Sequence, residues 1–176
     1  MPRRAVEAVG QGELASVVLL SGRSVVLVGE APSRRSDPRR PLDGPCGSRL
    51  ERLAEIPVGS LGDRCVAVNL LPAWPGRRGK GAAFPMAEAR AAAAELVPLL
   101  EGRAVLLLGR RVAAAFGVVD WPYLVPMRWE GGPVAAVVPH PSGVCRWWND
   151  PEASRRAAGT LRLALGTRRG LVQGPI

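Results

Sequence analysis

Four short runs of this chain are apolar almost throughout: SVVLVG at 24–29, CVAVNL at 65–70, RAVLLLG at 103–109 and PVAAVVP at 133–139. A strand with one wet face alternates apolar and polar residues. A short run that is apolar on both sides asks for cover on both faces, which is the habit of parallel sheets. Between these runs lie helical patterns. SRLERLAEI at 48–56 spaces Leu50, Leu53 and Ile56 along one side, and MAEARAAAAELVPLL at 86–100 is rich in the best helix former. RRVAAAFG at 110–117 is closed by Gly117. A last helix begins at Asp150, which suits the cap, with Pro151 at the first helical position and Glu152 where the helix dipole favours negative charge. Strands and helices in alternation predict an α/β fold: a single-domain, three-layer α/β/α arrangement with a central four-stranded parallel sheet. All of 1–176 is read as one domain, with 1–12 and 167–176 loose at its ends.

In such sheets ligands bind beyond the carboxyl ends of the strands. Three of those ends carry unusual loops: GEAPSRRSDP after the first run, NLLPAW after the second, and HPSGVCRWW after the fourth. The last of these holds His140, the only histidine in the chain. An imidazole there is a candidate for proton or charge chemistry, or a satisfied structural group.

The formal charge is +9, and Lys80 is the sole lysine among 24 basic residues. Such a balance attracts polyanions, although a general arginine-rich bias in composition gives the same count. Arg34, Arg35, Arg39 and Arg40 crowd one loop, and Arg77, Arg78 and Lys80 stand in a second, GRRGKG. These are candidate phosphate contacts, or simply solvated faces. The three cysteines are widely spaced, and with one histidine they lack the ligand spacing of a zinc site. No metal and no cofactor are expected. An odd cysteine count with no secretory leader points to reduced thiols in a cytoplasmic protein. The apolar runs are too short to span a bilayer, so no membrane partner is expected either.

The three loops resemble those of the uracil-DNA glycosylase superfamily. VVLVGEAPS resembles its first motif, a strand ending in Gly-Gln/Glu-x-Pro, and VAVNLLP resembles the strand that ends in a uracil-reading asparagine. PHPSG resembles the second signature, His-Pro-Ser or Asn-Pro-Ser-Gly. The resemblance runs from about Val25 to the last helix. The first loop is most similar to a bacterial branch that reads Gly-Glu-Ala-Pro-Gly and later Gly-Arg-Pro-Phe-Val-Gly. Here Gly29-Glu30-Ala31-Pro32-Ser33 is followed by Arg40-Pro41-Leu42-Asp43-Gly44. That branch holds an iron–sulfur cluster on four cysteines; Cys46, Cys65 and Cys145 do not match that spacing, so no cluster is expected. Leu42 stands where the branch stacks an aromatic ring on the base, which leaves Trp74 or Phe84 to take that part, or a different base to be preferred.

The resemblance implies a monofunctional DNA glycosylase, removing uracil or a related deaminated base from single- or double-stranded DNA and acting as a monomer. His140 would donate to the base O2 as negative charge develops, and Asn69 would pair with N3–H and O4 of uracil. Glu30 and Ala31 would wall the pocket, with Leu42 and Trp74. Ala31 occupies the position of the water-activating aspartate of the fastest members, leaving Asp37, or else Asp43, as candidates to hold water. Both are equally suited to turns. Ser142 and Gly143 would grip phosphate, while Val144, Cys145 and Arg146 stand where relatives push a wedge into the stack. Trp147 and Trp148 would stack on bases or anchor the last helix. The signature is a hybrid of uracil-specific and mismatch-directed members and does not fix the base. A non-catalytic nucleic-acid binder and a hydrolase of free modified nucleotides are the alternatives.

Overall fold

The structure is a computed structural model that describes residues 6–10, 25–79, 81–129 and 132–166. The four apolar runs form four parallel strands, β2 (Val25–Gly29), β3 (Cys65–Asn69), β6 (Ala104–Leu108) and β8 (Val134–Val138), lying side by side in the order β3-β2-β6-β8. Every residue of β2, β6 and β8 is buried, as their composition requires. β3 lies at the free edge, and its Val66 is largely exposed.

The sheet is larger than the four strands expected. Beyond β8 it continues with β7 (Pro126–Trp129), antiparallel to β8, and then β1 (Val6–Ala8), antiparallel to β7. Among the described residues, six strands are therefore joined in the main sheet. β7 is hard to read because it is short and opens on proline, tolerated at the first position of a strand. Its Met127 and Trp129 are fully buried. β1 is three residues with one charge, and residues 6–8 are thus part of the sheet rather than a loose end. The expected loose tail at 167–176 lies outside the described residues. A separate two-stranded hairpin pairs β4 (Arg77–Arg78) with β5 (Gly81–Ala82).

Helices α1 (Pro45–Ala54) and α4 (Pro151–Leu165) cover one face, and α2 (Met86–Leu96) and α3 (Arg110–Ala115) cover the other. Alternate residues of one strand serve the two cores: Leu106 and Leu108 pack with Leu50 and Leu161, while Val105 and Leu107 pack with Ala89, Ala93 and Phe116. The Asp150 cap is made as expected, its carboxylate accepting the N–H groups of Glu152 and Ala153 at 2.9 and 3.3 Å. α2 gives way to a 3-10 turn at Val97–Leu100, where Pro98 has no N–H to continue the α ladder. No described helix is long and apolar enough to cross a membrane.

The strand order sets the place of the site. From β2 the chain steps outward to β3, then returns across β2 to β6 and β8. The connections after β2 and β6 therefore depart to opposite faces, and a crevice opens beyond their carboxyl ends.

Candidate functional site

That crevice is a cleft of about 590 Å³. It is lined by Glu30, Ala31, Leu42, Asn69, Trp74, His140, Ser142 and Val144, which the sequence singles out, and by Gly109, Arg111 and Tyr123, which it does not. Segments roughly thirty to forty residues apart in sequence meet there through ordinary sheet pairing. Gly29 stands beside Asn69 in the β2–β3 register, and the two strands stay zipped beyond their ends: Leu70 and Leu71 donate to the carbonyls of Gly29 and Glu30, each at 3.0 Å. Gly109 donates to the carbonyl of Val138 at 2.8 Å, which ties the end of β6 to the segment carrying His140.

His140 is held in one protonation pattern. The main-chain N–H of Ser142 donates to its Nδ1 at 3.2 Å. An amide nitrogen can only donate, so Nδ1 is the acceptor and the neutral ring carries its proton on Nε2. Nε2 has no hydrogen-bond partner among the described residues. Burial pushes the imidazole below its ordinary pKa. The Glu30 carboxylate opposes that shift, and the Arg111 guanidinium adds to it. The segment itself is braced twice: Trp148 Nε1 donates to the His140 carbonyl at 2.8 Å, and Arg49 Nη1 of α1 donates to the Ser142 carbonyl at 3.1 Å. Gly109 makes room for the ring. Its φ is +103°, and a Cβ there would lie 3.2 Å from His140 Cβ.

Asn69 presents a different problem. Its Oδ1 lies so close over Gly29 that a methyl group on Gly29 would sit 2.5 Å from it. Its Nδ2 is shielded from solvent and has no hydrogen-bond partner among the described residues. An unmade buried hydrogen bond costs about 1–3 kcal/mol, and such a donor at the wall of a cleft is suited to a ligand acceptor.

Glu30 is gripped by Arg111 through both carboxylate oxygens, with Nε to Oε1 at 2.9 Å. Arg111 also donates to the Ala82 carbonyl at 3.1 Å and lies over the Phe84 ring at 5.2 Å. It joins the end of β2 to the β4–β5 hairpin. Leu42 takes a left-handed φ of +63°, a conformation that costs a side-chain residue about 1–2 kcal/mol. Its carbonyl abuts α1 at Gly47, where an added Cβ would lie 2.0 Å from that oxygen. Trp74 is partly exposed, with Arg34 lying 6.0 Å from the centre of its ring. Phe84 packs against the second core instead of lining the cleft.

Several residues singled out by sequence stand elsewhere. Asp37 does not line the cleft: it accepts the N–H of Arg39 at 2.9 Å and is a turn residue. Asp43 reaches the cleft edge, with its carboxylate 3.5 Å from Arg40. Arg35, Arg78, Gly143 and Arg146 are exposed and outside the lining; Lys80 lies outside the described residues. Val144 stands out at the loop tip, 89% exposed. Trp147 and Trp148 are half-buried, edge to face with each other, and pack on the core. Cys46 and Cys145 line the cleft as free thiols, and burial pushes the Cys46 thiol up. No cluster of residues able to hold a metal occurs among the described residues.

Arg49, Gly109, Arg111 and Tyr123 escape a sequence reading. Arg49 sits inside a helix, and Tyr123 sits in a proline-flanked connection. For Gly109 and Arg111 the available signal is positional: they follow the third parallel strand, so they belong to the same rim as the other three loops. A larger groove of about 750 Å³ adjoins the cleft along α4, but no imidazole, amide or carboxylate lines it. Comparison of the sequence with models of known protein families finds no match, and comparison with curated proteins finds none.

Proposed function

We propose that the protein is a monofunctional DNA glycosylase that hydrolyses the bond between a deaminated base, uracil or a relative of it, and its deoxyribose. The observation that carries this reading is the meeting of His140 and Asn69 in one cleft, each with an N–H that finds no partner among the described residues. When the bond between base and sugar breaks, its electron pair leaves with the base and the sugar gains oxocarbenium character. A neutral imidazole with its proton on Nε2 suits this step, because it can donate to the carbonyl oxygen on which charge appears. A donor so placed is worth about 3–4 kcal/mol. Water then adds to the sugar carbon and gives up a proton.

Asn69 supplies an amide edge of the kind that pairs with a carbonyl and an adjacent N–H of a base. Leu42 and Trp74 offer apolar surface for its ring. A base reaches the cleft only by leaving the stack, and the exposed Val144 suits a wedge filling the gap. Sole lysine Lys80 lies outside the three motifs, so a Schiff-base step that would cut the strand is not part of the reading.

One observation favours a second reading, a binder that traps an extruded base without releasing it. The carboxylate beside the imidazole, Glu30, is engaged by Arg111, and Ala31 offers none. Labelled oligonucleotides carrying uracil, hypoxanthine, xanthine or a thymine mismatch, single- and double-stranded, separate the two when alkali follows incubation. Release of one base, lost in His140→Ala and Asn69→Ala, is the expected result. Binding without release of any of them establishes the binder and ends the glycosylase reading.

A further inference from the structure

The larger groove shares Arg110 and Tyr123 with the cleft, so the two adjoin at those side chains. Its walls are the 122–125 segment on one side and, on the other, the face of α4 bearing Arg156 and Gly159; Trp147 also lines it. The charged groups lining it are Arg110 and Arg156, with no carboxylate between them. Along α4 the neighbouring arginines are engaged, Arg155 with Glu152 at 2.7 Å and Arg162 with Glu55 at 2.8 Å. The Arg156 guanidinium is exposed and has no ion-pair partner among the described residues. Arg110 lies over the Tyr123 ring at 4.4 Å, which fixes its charge at the junction of the two cavities.

Gly159 is a second, independent observation. Glycine inside a helix is a destabilising choice, and nothing lies within 4 Å of the position its Cβ would take. No neighbour demands it. What its missing side chain does is keep the groove open.

We propose that this groove carries the stretch of DNA strand adjoining the nucleotide held in the cleft. Two unopposed guanidiniums suit successive phosphates, and Pro122, Val125 and Trp147 give apolar surface for what lies between them. The 142–147 loop separates the cavities, with Ser142 and Val144 on the cleft and Trp147 on the groove, so a strand parted by Val144 passes directly from one to the other.

The proposal rests on the glycosylase reading only in taking DNA as the ligand, and its test reads binding rather than excision. Anisotropy of a labelled, uracil-containing single strand of about 20 nucleotides, longer than usual single-strand site sizes, is titrated against wild type, Arg156→Ala, Arg156→Glu and Gly159→Gln over a range of salt. Arg156→Ala is expected to flatten the slope of log affinity against log salt by about 0.7, and Arg156→Glu to weaken binding about tenfold or more. Gly159→Gln, which fills the groove without touching charge, should weaken it several-fold. On a trinucleotide centred on the uracil, all variants should bind as wild type does.

Wild-type affinity and slope in all three variants on the long strand overturn the proposal. So does a change of oligomeric state in the variants with DNA binding unaltered, which would make the groove a surface between copies of the chain. Base release is scored on the same DNA: variants that weaken binding of a protein that releases nothing uphold the groove while the glycosylase reading falls. Release with unaltered binding does the reverse.

Discussion

The two loops that face each other across the cleft are built on opposite terms. The segment after β8 is tied down by three hydrogen bonds: from Ser142 within itself, from Trp148 behind it and from Arg49 of α1. The loop after β2 is stabilised within itself. Its hydrogen bonds and ion pairs join Ser33 to Ser36, Asp37 to Arg39 and Arg40 to Asp43, all three residues apart or fewer, and its four arginines are exposed, with Arg34 and Arg40 at the cleft edge. One rim fixes an imidazole to within a rotamer. The other spreads charge over a chain of turns. Positioning is worth most where a bond breaks, whereas attraction of a polyanion needs charge in roughly the right place. On the proposed glycosylase reading, the contrast separates a rate-determining side from an affinity-determining side.

That division can be broken by substitution, beginning where the effect is greatest. His140→Ala should lower single-turnover base release about 100- to 1000-fold while leaving DNA affinity within a few-fold; equal losses in both would erase the distinction. Arg49→Ala removes the brace from α1 without touching the cleft. It should slow release about tenfold, since small displacements of a catalytic group are expensive, with affinity nearly unchanged. An unchanged rate would mean that Trp148 and Ser142 hold the loop unaided.

On the opposite rim, replacing Arg35 and Arg39, which lie outside the cleft lining, together with Ala should weaken DNA binding several-fold and flatten the salt slope by about 1.4 to 1.8 on the two-phosphate count. The rate at saturating protein should not change, and thermal stability should move by about 0.5 kcal/mol or less. A fall in the saturated rate would place this loop in the chemistry.

The smallest effect is a shift in titration. Because burial lowers the His140 pKa, its neutral form persists below the ordinary pH of about 6.5. The acid limb of the rate profile should therefore have its midpoint under that value. The linked effect on stability has the same sign. Above the unfolded pKa both states are neutral, so the group costs nothing. As pH falls below about 6.5 the unfolded chain takes up a proton that the folded chain refuses, and stability declines until the folded pKa is passed. With one histidine in the chain, a single ring-proton resonance reports the midpoint directly. A midpoint above 6.5 would show Glu30 prevailing over burial.

Four strands, four helices and the cap at Asp150 were legible because each depends on local pattern: apolar runs, helical spacing and cap chemistry. β7 and β1 were not, since Pro126–Trp129 is four residues opening on proline and Val6–Ala8 is three residues long; what makes them strands is pairing, β7 on the edge of β8 and β1 on the edge of β7. The site divided likewise. His140, Asn69, Glu30 and Val144 stood at strand ends where a parallel sheet gathers its ligand contacts. Asp37 stood in the same loop and serves a turn, and no pattern distinguishes those two uses of a carboxylate.

The sequence by itself determined the four parallel strands of the sheet and which of their ends would carry the loops that line the cleft, because strand burial and chain direction are written in residue type and order. Only the tertiary structure decided which nitrogen of His140 holds the proton, which guanidinium grips Glu30, and that Asn69 is left with an unanswered N–H. Those outcomes depend on distances between segments remote in the chain, and a hydrogen bond is lost over less than an ångström, far finer than any spacing of residue types can specify.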